Sequence, residues 1–130
     1  MRHTLAIKVY YEDTDCLGVV YHANYLKYFE RARTELFETH VAPLSELNRR
    51  GEIFVVVELK ASFRAPGRFG DRITVESDLS VPSPYRAVFR QKALKEPGRE
   101  TLVTADVEVV CLDRDGNLRE LPGSVRGLAT

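Results

Sequence analysis

The sequence predicts an α+β chain in which an antiparallel sheet wraps around one long central helix. Three observations carry this reading. A single long stretch of helical periodicity begins near Asn24. One strand pattern precedes it and four longer ones follow. The later strands are joined by short connections, which favour antiparallel neighbours. A sheet with one apolar face buries it against an apolar helix, giving two layers. The 130 residues read as one domain, residues 1–130, and 44% hydrophobic content suffices for a core.

Leu5, Ile7 and Val9 alternate with Ala6, Lys8 and Tyr10, so residues 4–12 read as the first strand. Residues 13–21 form a loop. Tyr25, Phe29, Ala32 and Leu36 then fall on one helical face, widened by Leu26 and Phe37. Asn24 is the expected N-cap. Arg31 with Glu35, and Glu30 with Arg33, have the spacing of ion pairs on a helix surface. The helix is expected to stop near His40, before Pro43, with a short helix or turn over residues 44–50.

A long strand follows from Ile53 to Arg64, with Val55, Val57, Leu59 and Ala61 on one side. The Pro and Gly residues of 65–71 mark a turn. The next strand carries Ile73, Val75, Leu79 and Val81, with a bulge expected after Glu76. Residues 86–94 and 101–112 are two more strands. Asp115-Gly116 signals a hairpin into a short strand at 118–121, and residues 122–130 read as a loose tail.

Nineteen basic residues balance nineteen acidic ones. That balance excludes the basic footprint of a general nucleic-acid binder. Cys16 and Cys111 have no metal-type spacing and no disulfide framework, and read as free thiols in a reducing cytoplasm. No apolar run reaches membrane-spanning length, and the first residues lack the apolar core of a signal peptide. His and Cys do not cluster as zinc ligands, and no Gly-x-Ser-x-Gly elbow occurs. His3 and His40 are expected to face solvent.

The candidate chemistry lies between Tyr10 and Tyr25. A strand delivers Asp15 into a loop that passes Gly18 and reaches His22 at the start of the amphipathic helix. A carboxylate beside free helix N–H groups suits acyl transfer on an activated carbonyl. Asp15 taken alone also fits a turn former, and His22 taken alone a capping or packing residue. Glu58 fits solvent-facing alternation as well as a cleft.

The residues Val9-Tyr10-Tyr11-Glu12-Asp13-Thr14-Asp15, Gly18-Val19-Val20-Tyr21-His22-Ala23-Asn24-Tyr25-Leu26 and Phe29-Glu30-Arg31-Ala32-Arg33-Thr34-Glu35 resemble the hotdog-fold acyl-CoA thioesterases of the 4-hydroxybenzoyl-CoA thioesterase family. The string is most similar to the YbgC branch, which is associated with the bacterial Tol-Pal envelope system. The resemblance continues more loosely through the remaining strands. Cys16 and Leu17 depart from it, standing where the motif carries small residues.

The resemblance implies hydrolysis of acyl-CoA thioesters, or of acyl carrier protein thioesters, with no cofactor beyond the coenzyme A of the substrate. It implies that Asp15 is the essential carboxylate, as nucleophile or as general base. It implies that a backbone N–H near His22 binds the oxyanion, that the His22 side chain assists, and that Gly18 lets the loop approach the ligand. Tyr21 belongs to the same site. Lys60, Arg64, Arg68 and Arg86 are candidates for the coenzyme A phosphates, and Tyr85 for adenine stacking. A homodimer or dimer of dimers, joined through sheet edges, is expected. Two rivals remain: a hydratase or dehydratase on the same fold, and a non-catalytic acyl-CoA-binding or envelope module.

Overall fold

A computed structural model describes residues 1–129. The elements run β1 (Arg2–Lys8), a 3-10 turn (Tyr11–Asp13), α1 (His22–His40), α2 (Leu44–Arg49), β2 (Ile53–Phe63), β3 (Arg72–Ser83), β4 (Arg86–Lys95), β5 (Glu100–Leu112), β6 (Leu118–Arg119) and α3 (Gly123–Arg126). The sheet order is β1-β3-β4-β5-β2, with β6 on β5, and every pair is antiparallel. No helix among the described residues is long and apolar enough to cross a membrane.

Helix α1 lies across one face of the sheet, against β1, β3 and β4. Its buried stripe is Tyr25, Tyr28, Phe29, Ala32, Leu36 and Phe37. It shares one core with Val75, Leu79, Phe89 and Val107 from the strands. Burying a ring such as Phe29 or Phe89 contributes about 1.5–3 kcal/mol. The expected stripe needs one change: Leu26 is exposed and Tyr28 is buried. At about 100° per residue Tyr28 falls about 40° from Ala32, on the flank of the buried stripe.

Several expectations are corrected. The first strand ends at Lys8, because the chain turns at Tyr11–Asp13, where the Asp13 N–H donates to the Tyr10 carbonyl and Asp13 Oδ2 accepts the Tyr10 N–H. The bulge after Glu76 is absent: Ser77 occupies the inward position between Val75 and Leu79, and the register shifts only between Ser80 and Ser83. Elsewhere in the sheet, register shifts fall between β4 and β5 at Ala93 and Leu94, and in β2 as a bulge between Val56 and Glu58. The β2 bulge sends Val55 to the face it shares with Val110, opposite the face of Leu59 and Ala61.

Residues 122–129 are not a loose tail, since Leu121 and Val125 pack into the core and α3 follows Pro122; Thr130 lies outside the described residues. His3 is half-buried, edge-on to His40 with ring centroids 6.0 Å apart, while His40 is exposed. Neither expected surface ion pair on α1 forms. Arg31 lies over the Tyr28 ring, Glu30 accepts from the Thr34 hydroxyl, and Arg33 turns inward to Gln91.

Strand β2 closes one edge of the sheet, and α1 touches it through Phe37 against Phe54 and Tyr25 against Phe63. Val56, Val57, Leu59 and Phe63 are all exposed there.

Candidate active site

Asp15 occupies the tip of a tight hairpin between β1 and α1. Thr14 bridges Val20 across it. The Asp15 N–H donates to the Val19 carbonyl at 2.9 Å, and the Gly18 N–H donates to the Asp15 carbonyl at 3.0 Å. This is a three-residue loop closed by a left-handed residue. Gly18 supplies it at φ +76°. A Cβ on Gly18 would meet nothing within 4 Å, so within the chain glycine serves backbone conformation and not space.

The Asp15 carboxylate is half-buried. Its Oδ1 accepts the Leu17 N–H at 2.9 Å, an Asx turn. One oxygen thus holds the loop. Oδ2 has no partner, and no cation pairs with the carboxylate, among the described residues.

Helix α1 begins at His22 behind Tyr21, which has φ −61° and ψ 130°, and no side chain caps it. Asn24 is therefore not the cap. Its Nδ2 donates 2.8 Å to the Asp13 carbonyl, which also accepts the Tyr21 N–H at 2.9 Å. Asp13 thereby ties the strand entering the loop to the start of the helix. The His22 and Ala23 N–H groups meet no acceptor among the described residues. With the helix dipole behind them they form a ready oxyanion site.

The His22 imidazole is exposed. It packs at a tilt of 54° against Tyr21, with centroids 4.6 Å apart, and meets Phe63 edge-on at 6.0 Å. No hydrogen bond joins it to Asp15. Tyr21 is exposed beside it. The Tyr28 hydroxyl is buried near Asp13 but outside hydrogen-bond geometry, and burial, then the nearby carboxylate, push its pKa well above the phenol range.

Sequence reasoning missed Gly67. The Val20 N–H donates to the Gly67 carbonyl at 2.8 Å, and the Gly67 N–H donates to the Tyr25 hydroxyl at 3.0 Å. Burial raises the Tyr25 pKa, and the Gly67 amide opposes that rise. The turn before β3 thus clamps both the Asp15 loop and the first turn of α1. Its visible signal was Pro66-Gly67, which reads as a turn and carries no sign of what it touches.

The four cationic candidates separate. Arg68 is drawn to the loop, since its backbone bridges Val19. Arg64 follows Phe63 at the same end of β2, where its N–H donates to the Leu102 carbonyl. Lys60 is paired in register with Asp106 on the sheet face away from α1. Arg86 pairs with Glu108 at 2.5 Å and stands opposite Val110, whereas Phe63 stands opposite Val103. Seven residues along β5 span about 23 Å, so Arg86 is remote from the loop within one chain. Tyr85 shares that remote end. Glu58 faces away from α1 beside Glu108. No group of three metal-ligating side chains occurs among the described residues.

The model of the thioesterase-like superfamily matches residues 9–127. An acyl-CoA thioester hydrolase YbgC from Escherichia coli is 37% identical over 108 residues, covering 82% of this chain and 79% of that one. A probable thioesterase from Bartonella henselae superposes with a TM-score of 0.83 at 32% identity, covering 94% of this chain and 100% of that one. A 4-hydroxybenzoyl CoA thioesterase mutant complexed with 4-hydroxybenzoyl CoA shares the fold, with a TM-score of 0.88 at 22% identity and 99% coverage of each chain. The hotdog architecture, the matched span and the identity to YbgC together assign this chain to the thioesterase-like superfamily, among its YbgC-type acyl-CoA thioesterases.

Proposed function

We propose that this thioesterase hydrolyses acyl-CoA at the start of α1, with Asp15 as the reacting carboxylate. The observation that carries the reading is the uncapped helix N-terminus beside a carboxylate with one committed oxygen and one free. The thioester carbonyl oxygen points at the His22 and Ala23 N–H groups. Charge developing on that oxygen is met by donors already in place, and one such donor contributes about 3–4 kcal/mol. Two routes fit the same geometry. Asp15 Oδ2 attacks the carbonyl carbon, the C–S bond breaks to release coenzyme A thiolate, and water cleaves the mixed anhydride. Alternatively Asp15 takes a proton from the water that attacks. His22 borders the site, oriented by Tyr21 and Phe63, and Arg68 and Arg64 are the cations nearest for the phosphates.

The site is completed by a second copy of this chain. Strand β2 presents an unpaired backbone edge together with exposed Val56, Val57, Leu59 and Phe63. Such an edge pairs with another strand. Antiparallel pairing of β2 with β2 about a two-fold axis satisfies the edge and buries the apolar stripe on both sides. It also sets the Phe63 end of one copy beside the Ile53 end of the other.

The test is thiol release from aliphatic and aromatic acyl-CoAs by the parent and by Asp15→Asn. The expected loss is about 10²–10⁴-fold in kcat with the fold intact. Full turnover by Asp15→Asn sinks the assignment.

A further inference from the structure

A pocket of about 210 Å³ lies between the second half of α1, α2 and the first residues of β2. Phe37, Leu44, Phe54 and Val109 make most of it apolar, and Arg33 and Glu30 are the charged residues on its wall. An apolar cavity of about 150 Å³ takes a benzene ring, so this pocket holds a six-carbon segment. In its own chain it is far from Asp15, because the twelve residues from His22 to Thr34 rise about 18 Å. Pairing of two β2 edges brings the pocket of one copy next to the Asp15 loop of the other.

Arg33 is held for recognition. Its Nη1 donates 3.0 Å to Gln91 Oε1. Gln91 cannot flip, because its Nε2 donates to the Phe29 carbonyl at 3.0 Å and contacts Ser77 Oγ at 2.9 Å. That amide is almost wholly buried and fixes one edge of the guanidinium. A guanidinium has five donors, and among the described residues Arg33 has no carboxylate partner. Glu30, one turn away, is engaged with Thr34. Burial lowers the Arg33 pKa, and the Glu30 carboxylate opposes that lowering. A ligand oxygen at the pocket's end meets the free edge of the fork.

We propose that Arg33 of the partner subunit reads the far end of the acyl group, selecting acyl-CoAs that carry a distal oxygen acceptor, best a carboxylate. This inference rests on the thioesterase reading and on β2 pairing. An apolar pocket without the cation rejects a carboxylate, so preference for one points to the arginine.

The test compares hexanoyl-CoA with adipoyl-CoA in kcat/KM. It also compares two non-hydrolysable probes by calorimetry: an S-hexyl-CoA thioether and the same six-carbon chain ending in a carboxylate. The expected result is a preference of about tenfold to a hundredfold for the carboxylate in both. It is lost in Arg33→Met and partly kept in Arg33→Lys. The ratio within one enzyme does not depend on how much of it is active. Equal use of both acyl groups overturns the inference while leaving the thioesterase reading standing. Carboxylate-selective binding without turnover does the reverse. If Arg33→Met does not fold, the parent's own ratio decides, and preference for the plain chain overturns the proposal.

Discussion

The Gly67 N–H donates to the Tyr25 hydroxyl across 3.0 Å, and a Cβ on Gly67 would stand 2.8 Å from that same oxygen. It would also press on Leu102 and Val20, each at 3.3 Å. Tyr25 is buried and Val20 closes the Asp15 loop, so neither can retreat freely. Gly67→Ala is expected to destabilise the fold by about 1–3 kcal/mol and to displace the loop. A displacement near 1 Å costs about a hundredfold in rate. Urea unfolding and kcat measured together check both effects. Tyr25→Phe, which removes the oxygen but not the ring, is expected to cost about 1–3 kcal/mol through the orphaned amide.

The backbone donor at the start of α1 can be removed without breaking the helix. Tyr21 already has the extended conformation that precedes proline, and His22 is the first helical residue, where proline is favoured. His22→Ala removes the imidazole alone. His22→Pro removes the imidazole and the N–H. With the His22 amide as oxyanion donor, kcat falls a further ~10²–10³-fold from the alanine to the proline variant. Equal rates in the two folded variants would shift the donor role to the Ala23 amide.

How far the sequence could be read depends on what each residue touches. The long helix, the succession of strands along the chain and the Asp15 loop follow from local patterns that the fold leaves intact. Periodicity marks α1, and Gly18 marks the turn that a left-handed residue must close. What failed was non-local. Ser77 reads as a bulge after Glu76 because its buried partner, Gln91, lies on another strand. Glu30 and Arg33 have ion-pair spacing, yet Arg33 reaches Gln91 instead. Gly67 reads as an ordinary turn residue until Tyr25 folds against it. The separation of Arg86 from Arg68 depends on strand register, which spacing along one chain does not encode.

The Ser77–Gln91 contact is a buried polar network whose members satisfy one another. Gln91 is 1% exposed and Ser77 is 0% exposed. Gln91→Leu removes the acceptor for Arg33 and the amide that meets Ser77 and the Phe29 carbonyl. The expected cost is about 2–4 kcal/mol, against about 1 kcal/mol for Ser77→Ala. A double-mutant cycle on the two positions should give a coupling energy of about 0.5–3 kcal/mol. Additive losses in that cycle would mean that the two side chains act independently.

His3 makes acid stability a local question. Burial first, and the neighbouring His40 second, lower its pKa from the ordinary 6.5, while Glu35 opposes them. Its Nδ1 is buried without a partner. Between the folded pKa and 6.5 the unfolded chain binds more protons at this site than the folded chain does. Stability therefore rises with pH through that window. The penalty is absent above it and complete below the folded pKa. His3→Phe keeps an edge-on ring against His40 and removes the titration. The urea midpoint of the parent should fall more than that of the variant between about pH 7.5 and about pH 5. Carboxylate protonation affects both proteins alike, so the difference between them isolates His3. Parallel pH profiles would show that the His3 ring charges in the folded state as readily as in the unfolded chain.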